Sequence, residues 1–138
     1  MAETNRKDTQ AAHTACDILL KTLPKSESGI HNIAYTFGLI CRETGIPAEQ
    51  AQEIIMSWSE RLRAVPNFKE LYPLYRKPSF YRYQVRYAVK SAYARTHEKP
   101  SSYWFRDLTG QRAPAASFWG ELKPPQEKKT RTRKAAEK

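Results

Sequence analysis

The chain lacks any run approaching the ~20 consecutive apolar residues of a membrane span, and its charged residues 1–10 contain no apolar core of a secretory signal. Export by that route is therefore not expected, and the sequence reads as that of a cytoplasmic protein. Only two cysteines are present. Cys16 and Cys41 are too isolated for a disulfide framework, and with His13, His31 and His97 they form no close pair at zinc-binding spacing. Both fall on apolar helix faces, where a thiol is a small buried hydrophobe. Five glycines make no phosphate-cradling loop. Gly29 and His31 are too sparse for one, and His31 reads as a capping or surface residue. No paired carboxylates for metal-assisted nucleotidyl transfer and no nucleophile–base set with recognisable local context are visible. The expectation is a protein that is not catalytic on its own, with no cofactor and no metal.

What is present is positive charge, unevenly placed. The 138 residues hold 24 Lys and Arg against 14 Asp and Glu, a net charge of +10. Residues 1–75 carry a net of −1, with eight basic and nine acidic residues. Residues 76–106 carry eight basic residues and one acid, Glu98, a net of +7. Residues 107–120 cancel, and residues 121–138 add +4. A surface made merely soluble would spread its charge; this asymmetry points to a polyanionic partner.

Apolar spacing predicts helices throughout. Ala12, Cys16, Leu19, Leu20 and Leu23 mark a first helix over residues 6–23, closed by Pro24. Ile30, Ala34, Phe37, Ile40 and Cys41 mark a second, which Gly45 can end in a left-handed cap. Pro47 suits the first turn of a third, with Ala51, Ile54, Ile55, Trp58 and Leu62 as its buried face. Residues 64–79 are irregular, with one short amphipathic turn at Phe68, Leu71 and Tyr72. A fourth helix runs from a Ser79 cap to about Thr96, and a short fifth starts at Ser101 or Ser102 and ends at Gly110. No segment alternates as a strand. The fold expected is an all-α, compact bundle of four to five helices over residues 1–110, followed by a proline-containing, basic, disordered tail over 111–138. Phe118 and Trp119 interrupt the tail and read as an anchor on the bundle ahead of a partner contact.

The fourth helix separates two faces. At 100° per residue, Tyr81, Val85, Ala88, Val89 and Ala92 share one arc and belong to the core. Arg82, Arg86 and Lys90 fall within a second arc of about 80° beside Tyr83 and Tyr87. Lys and Arg neutralise phosphates with little sequence preference, and exposed tyrosine rings stack on unpaired bases. The candidate nucleic-acid-binding set is Arg76, Lys77, Arg82, Tyr83, Arg86, Tyr87, Lys90, Arg95 and Arg106, while Tyr72, Tyr75, Tyr81 and Tyr93 are assigned to the core or its boundary.

Several stretches together resemble a known family. Gly29-Ile30-His31-Asn32, Gly45-Ile46-Pro47-Ala48-Glu49-Gln50-Ala51, Trp58, the run from Val85 to Tyr93 and the ending from Tyr103 to Gly110 are similar to the helical primase C-terminal domain. That domain follows the catalytic core in primase-polymerases of plasmids, phages and other mobile elements. The resemblance covers about residues 29–110. It implies a noncatalytic module that binds single-stranded DNA template, and with it the initiating nucleotide, for primer initiation in DNA replication. A separate primase-polymerase catalytic subunit or domain would then be the partner, and the chain an excised domain or a subunit working in trans. Two other classes stay open: a duplex-binding regulator of helix-turn-helix type, against which the long proline-rich turn before Ser79 argues, and a protein-interaction subunit. The charge map does not separate DNA from RNA.

Overall fold

Helix propensity and apolar spacing carry through into six α-helices in the computed structural model, which describes residues 6–120. They are α1 (Arg6–Lys21), α2 (Glu27–Glu43), α3 (Ala48–Arg63), α4 (Phe68–Leu71), α5 (Pro78–Ala94) and α6 (Ser102–Thr109). A 3-10 turn, Pro73–Tyr75, lies between α4 and α5. No strand occurs among the described residues; one isolated parallel bridge joins Ser101 to Gly120. None of the helices is long and apolar enough to cross a membrane. The architecture is the expected all-α one.

The helix ends follow local chemistry. Ser26 accepts from the Gly29 amide at the start of α2, three residues before the Ile30 stripe, so the helix begins earlier than its apolar periodicity alone shows. Its other end is a Schellman turn: Gly45 at φ 83° donates to Arg42, and Ile46 donates to Cys41 at 2.9 Å. Ser101, rather than Ser102, caps α6 by accepting from the Tyr103 and Trp104 amides. Helix α5 starts at Pro78, one residue before the expected Ser79 cap, because the fixed φ of proline suits a first helical position.

The centre of the bundle is α2, which packs against α1, α3, α5 and α6. It meets α5 tightly at Gly38, where a Cβ would stand 2.8 Å from the Ala92 Cβ. The core includes Ile30, Ile33, Phe37, Ile40, Ile55, Trp58, Val85 and Val89, all buried. Tyrosine hydroxyls that enter it are satisfied by carbonyls: Tyr72 on Pro24 at 2.5 Å, Tyr81 on Ser59 at 2.8 Å and Tyr93 on Ile46 at 2.5 Å. These tyrosines are core or boundary residues, as their helical positions predict. Cys16 and Cys41 are free thiols on α1 and α2. The neighbouring Cys41 thiol, then burial, push the Cys16 thiol up, away from the reactive thiolate.

The segment after Gly110 packs back on the bundle instead of leaving it at residue 111. Phe118 is buried and meets Trp119, whose ring lies edge-on to Phe105 at 5.5 Å. The indole Nε1–H of Trp119 donates to Pro114, and the Gly120 amide donates to Pro100 at 2.7 Å. The Ser117 amide and hydroxyl both donate to Asp8 in the first turn of α1. Phe118 and Trp119 therefore act as the anchor. The basic run of the expected tail, residues 121–138, lies outside the described residues.

Candidate nucleic-acid interface

Val85, Ala88, Val89 and Ala92 turn one side of α5 into the core, which forces the residues on the opposite arc into solvent. Arg86, Lys90, Tyr83 and Tyr87 are all exposed there. Tyr83 and Tyr87, one turn apart, stack on each other with centroids 6.2 Å apart and planes 21° from parallel. They stay 55% and 47% exposed, so their outer faces are open to a planar ligand. Phe80, 43% exposed, continues the same stripe at i, i+3 and i+7 and leans on Tyr75 at 5.8 Å. The sequence reading omitted Phe80, although its spacing from Tyr83 and Tyr87 was a usable signal.

The cations of the candidate set do not all stand alike. Arg82 is not free: its Nε donates to Glu60 of α3 at 2.8 Å, and a second nitrogen reaches the same carboxylate at 3.4 Å. Arg82 lowers the Glu60 pKa, and Glu60 raises that of Arg82. The expectation that acids hardly balance the Arg82, Arg86 and Lys90 stripe thus holds for Arg86 and Lys90 only, since the balancing acid comes from a different helix. Among the described residues, no ion pair includes Arg76, Lys77, Arg86, Lys90, Arg95 or Arg106. Arg76 and Lys77 stand exposed just before the first turn of α5. They extend the cationic stripe beyond its amino end.

At the other end of α5 the structure builds a polar cluster that the sequence reading did not assemble. Arg42 of α2 donates to the carbonyls of Ala92 and Arg95, both at 2.8 Å, and to that of Glu98, while pairing with Glu43. A cation thereby satisfies the last carbonyls of α5 and complements its dipole. Glu98 accepts from the Tyr35 hydroxyl at 2.7 Å. Burial, then this bond, push the Tyr35 pKa up to about 12. Arg95 lies over the Tyr35 ring at 5.9 Å, and the His31 ring stacks with the same tyrosine, centroids 6.3 Å apart. Burial, then the Arg95 charge, hold the His31 pKa below its ordinary value. His31 is a half-buried stacking residue on α2 and not the capping or surface residue expected.

Arg106 sits apart from the stripe. It is exposed on α6, which packs on α1 and α2. Near it, two adjoining clefts of about 200 and 340 Å³ share Asn32 and Trp104 as walls. Lys99 and Tyr35 line the first, Lys25 and Asp107 the second. Trp104 is 37% exposed, and its indole N–H has no hydrogen-bond partner among the described residues, unlike that of Trp119. These lining residues come from segments some 70 positions apart in sequence, so no local pattern announces them. Among the described residues, no group of three or more His, Cys, Asp and Glu converges as a metal site would require.

No family model, curated protein or solved structure matches the chain.

Proposed function

We propose that the protein binds single-stranded nucleic acid along the exposed face of α5. The observation that carries this reading is one arrangement: Arg86 and Lys90, with no carboxylate on them, beside the open stacked rings of Tyr83 and Tyr87. The cations supply phosphate neutralisation and the rings a platform for unpaired bases, worth about 1–3 kcal/mol per stacked base. Arg76 and Lys77 prolong the track, and the ring of Trp104 offers a second stacking wall beside Lys99. Arg82 contributes less, because Glu60 holds it. The resemblance of residues 29–110 to the helical primase C-terminal domain adds a role: holding template for a primase-polymerase that supplies the catalytic residues this face lacks.

Anisotropy titration with a fluorescent single-stranded oligonucleotide tests the reading. Binding at low salt is expected, and the joint replacement Arg86→Ala and Lys90→Ala should flatten the slope of log affinity against log salt by about 1.4, the value for two phosphate contacts to a single strand. Tyr83→Ala with Tyr87→Ala should weaken binding at every salt concentration without changing that slope. Equal or tighter binding of duplex of the same sequence would favour a groove-entering helix instead, and no binding at low salt would remove the proposal.

A further inference from the structure

On a different side of the molecule from the α5 stripe, α1 and α3 both lean on α2 and leave a groove of about 440 Å³ between them. Its walls are apolar: Ala12, Cys16 and Leu20 from α1, and Ile46 and Ile54 at and within α3, over a floor of Phe37. Cys16, Leu20, Ile46 and Ile54 are only partly buried, although each packs against the core. The α1 side is lined from Thr9 to Leu20, a rise of about 16 Å, or three helical turns.

The rim has the opposite sign to the chain as a whole. Asp17 lines the groove on the α1 side, sharing its charge with Lys21 at 3.1 Å. Glu49 and Glu53 stand exposed on α3, each one residue before the lining residues Gln50 and Ile54, and among the described residues no ion pair includes them. His13 and the Cys16 thiol are the other titratable lining groups, neither of them a carboxylate, and α3 has no basic residue before Arg61. In a chain of net charge +10 this is a local acidic margin around an apolar trough. An amphipathic helix laid in a groove needs that combination, with apolar anchors at i, i+3, i+4 and i+7 and charges that answer the rim.

We propose that the α1/α3 groove receives an amphipathic helix of a partner protein, its apolar stripe flanked by lysine or arginine. The charge of the rim selects the partner's flanks, and the length of the trough sets about three turns as the docked segment. The proposal does not rest on the nucleic-acid reading, since α5 contributes nothing to the groove.

The test uses two labelled synthetic helical peptides of 14 residues (a peptide-design choice of about four turns), one with leucine in the stripe and lysine elsewhere, the other with leucine and glutamate. Overall charge should repel the lysine peptide and attract the glutamate one, so preference for the lysine peptide isolates the rim. Expected are saturable binding of the lysine peptide, about a tenfold loss with Ile54→Lys and a similar loss with Gln50→Arg combined with Glu53→Arg. The latter pair alters only exposed positions of α3, which keeps the test valid should Ile54→Lys fail to fold. Preference for the glutamate peptide, or lysine-peptide binding indifferent to Gln50→Arg with Glu53→Arg, overturns the proposal. A concentration-dependent dimer abolished by that same double replacement also overturns it, by showing a second copy of the chain in the groove.

Discussion

Two single residues carry consequences larger than their size. Gly38 stands where α2 and α5 meet tightly, and a methyl group there would meet the Ala92 methyl at 2.8 Å. The atom it meets belongs to a residue with no rotamer to move, so the helices themselves must part. Gly38→Ala should therefore cost about 1–3 kcal/mol despite its better helix propensity, read as a lower midpoint in urea denaturation. Glu60 works in the opposite direction. It neutralises Arg82 on the face proposed to meet phosphate, and a pair between half-exposed side chains contributes little stability because solvent screens it. Glu60→Gln should leave the urea midpoint nearly unchanged while tightening single-strand binding severalfold at low salt. Unchanged affinity would place Arg82 outside the contact surface.

Among the elements, α5 is fixed at both ends by different means. Its start has no side-chain cap, and Pro78 lessens the need for one by removing one of the amide hydrogens that a helix start leaves unpaired. Its finish depends on Arg42, 50 residues earlier, which donates to the carbonyls of Ala92 and Arg95. Hydrogen bonds to a charged group are worth about 1.5–3 kcal/mol. Arg42→Met keeps the aliphatic stem and removes those donors. It should lower stability by at least that much and speed amide exchange in the last turn of α5 more than in its first. Uniform acceleration along the helix would show that Arg42 supports the bundle as a whole and not this terminus. The same element shows what a helical wheel can and cannot deliver. The core arc of Tyr81, Val85, Ala88, Val89 and Ala92 is legible because it repeats every turn within one helix. Arg82 with Glu60, and Arg42 with the end of α5, join residues far apart in sequence with no pattern linking them. Phe80 lies within reach of the wheel, next to Tyr87 on the side away from the basic arc, where nothing but its ring marks it.

At the scale of the molecule, the charge asymmetry read from the sequence becomes a spatial one: free cations along α5 and exposed acids beside the α1/α3 groove. The clefts at Trp104 were not legible, since their walls are assembled by packing of α2 against α6. The return of residues 111–120 was legible only at Phe118 and Trp119, whose apolar rings mark an anchor and find a hydrophobic seat, while the prolines around them suggest a free tail. That return should weaken in acid. The two donors of Ser117 lower the Asp8 carboxyl below its ordinary value, so the clasp is complete at neutral pH. Its contribution starts to fall near the unfolded-state value of about 3.9 and is lost as pH drops through the lowered folded value. Trp119 emission should shift on acidification in that window, and Ser117→Ala should produce part of the shift at neutral pH. A Trp119 signal flat from pH 7 to global acid unfolding would mean that the apolar seat alone holds the segment.

The clasp between Asp8 and Ser117 has a geometric corollary. It ties the first turn of the first helix to the returning segment, so the two ends of the described residues 6–120 lie at neighbouring points. A unit with adjoining entry and exit behaves as a cassette: spliced into a surface loop of a host protein, it demands little separation of the loop's two stems. Residues 6–120 grafted in this way should leave both the host and the bundle folded.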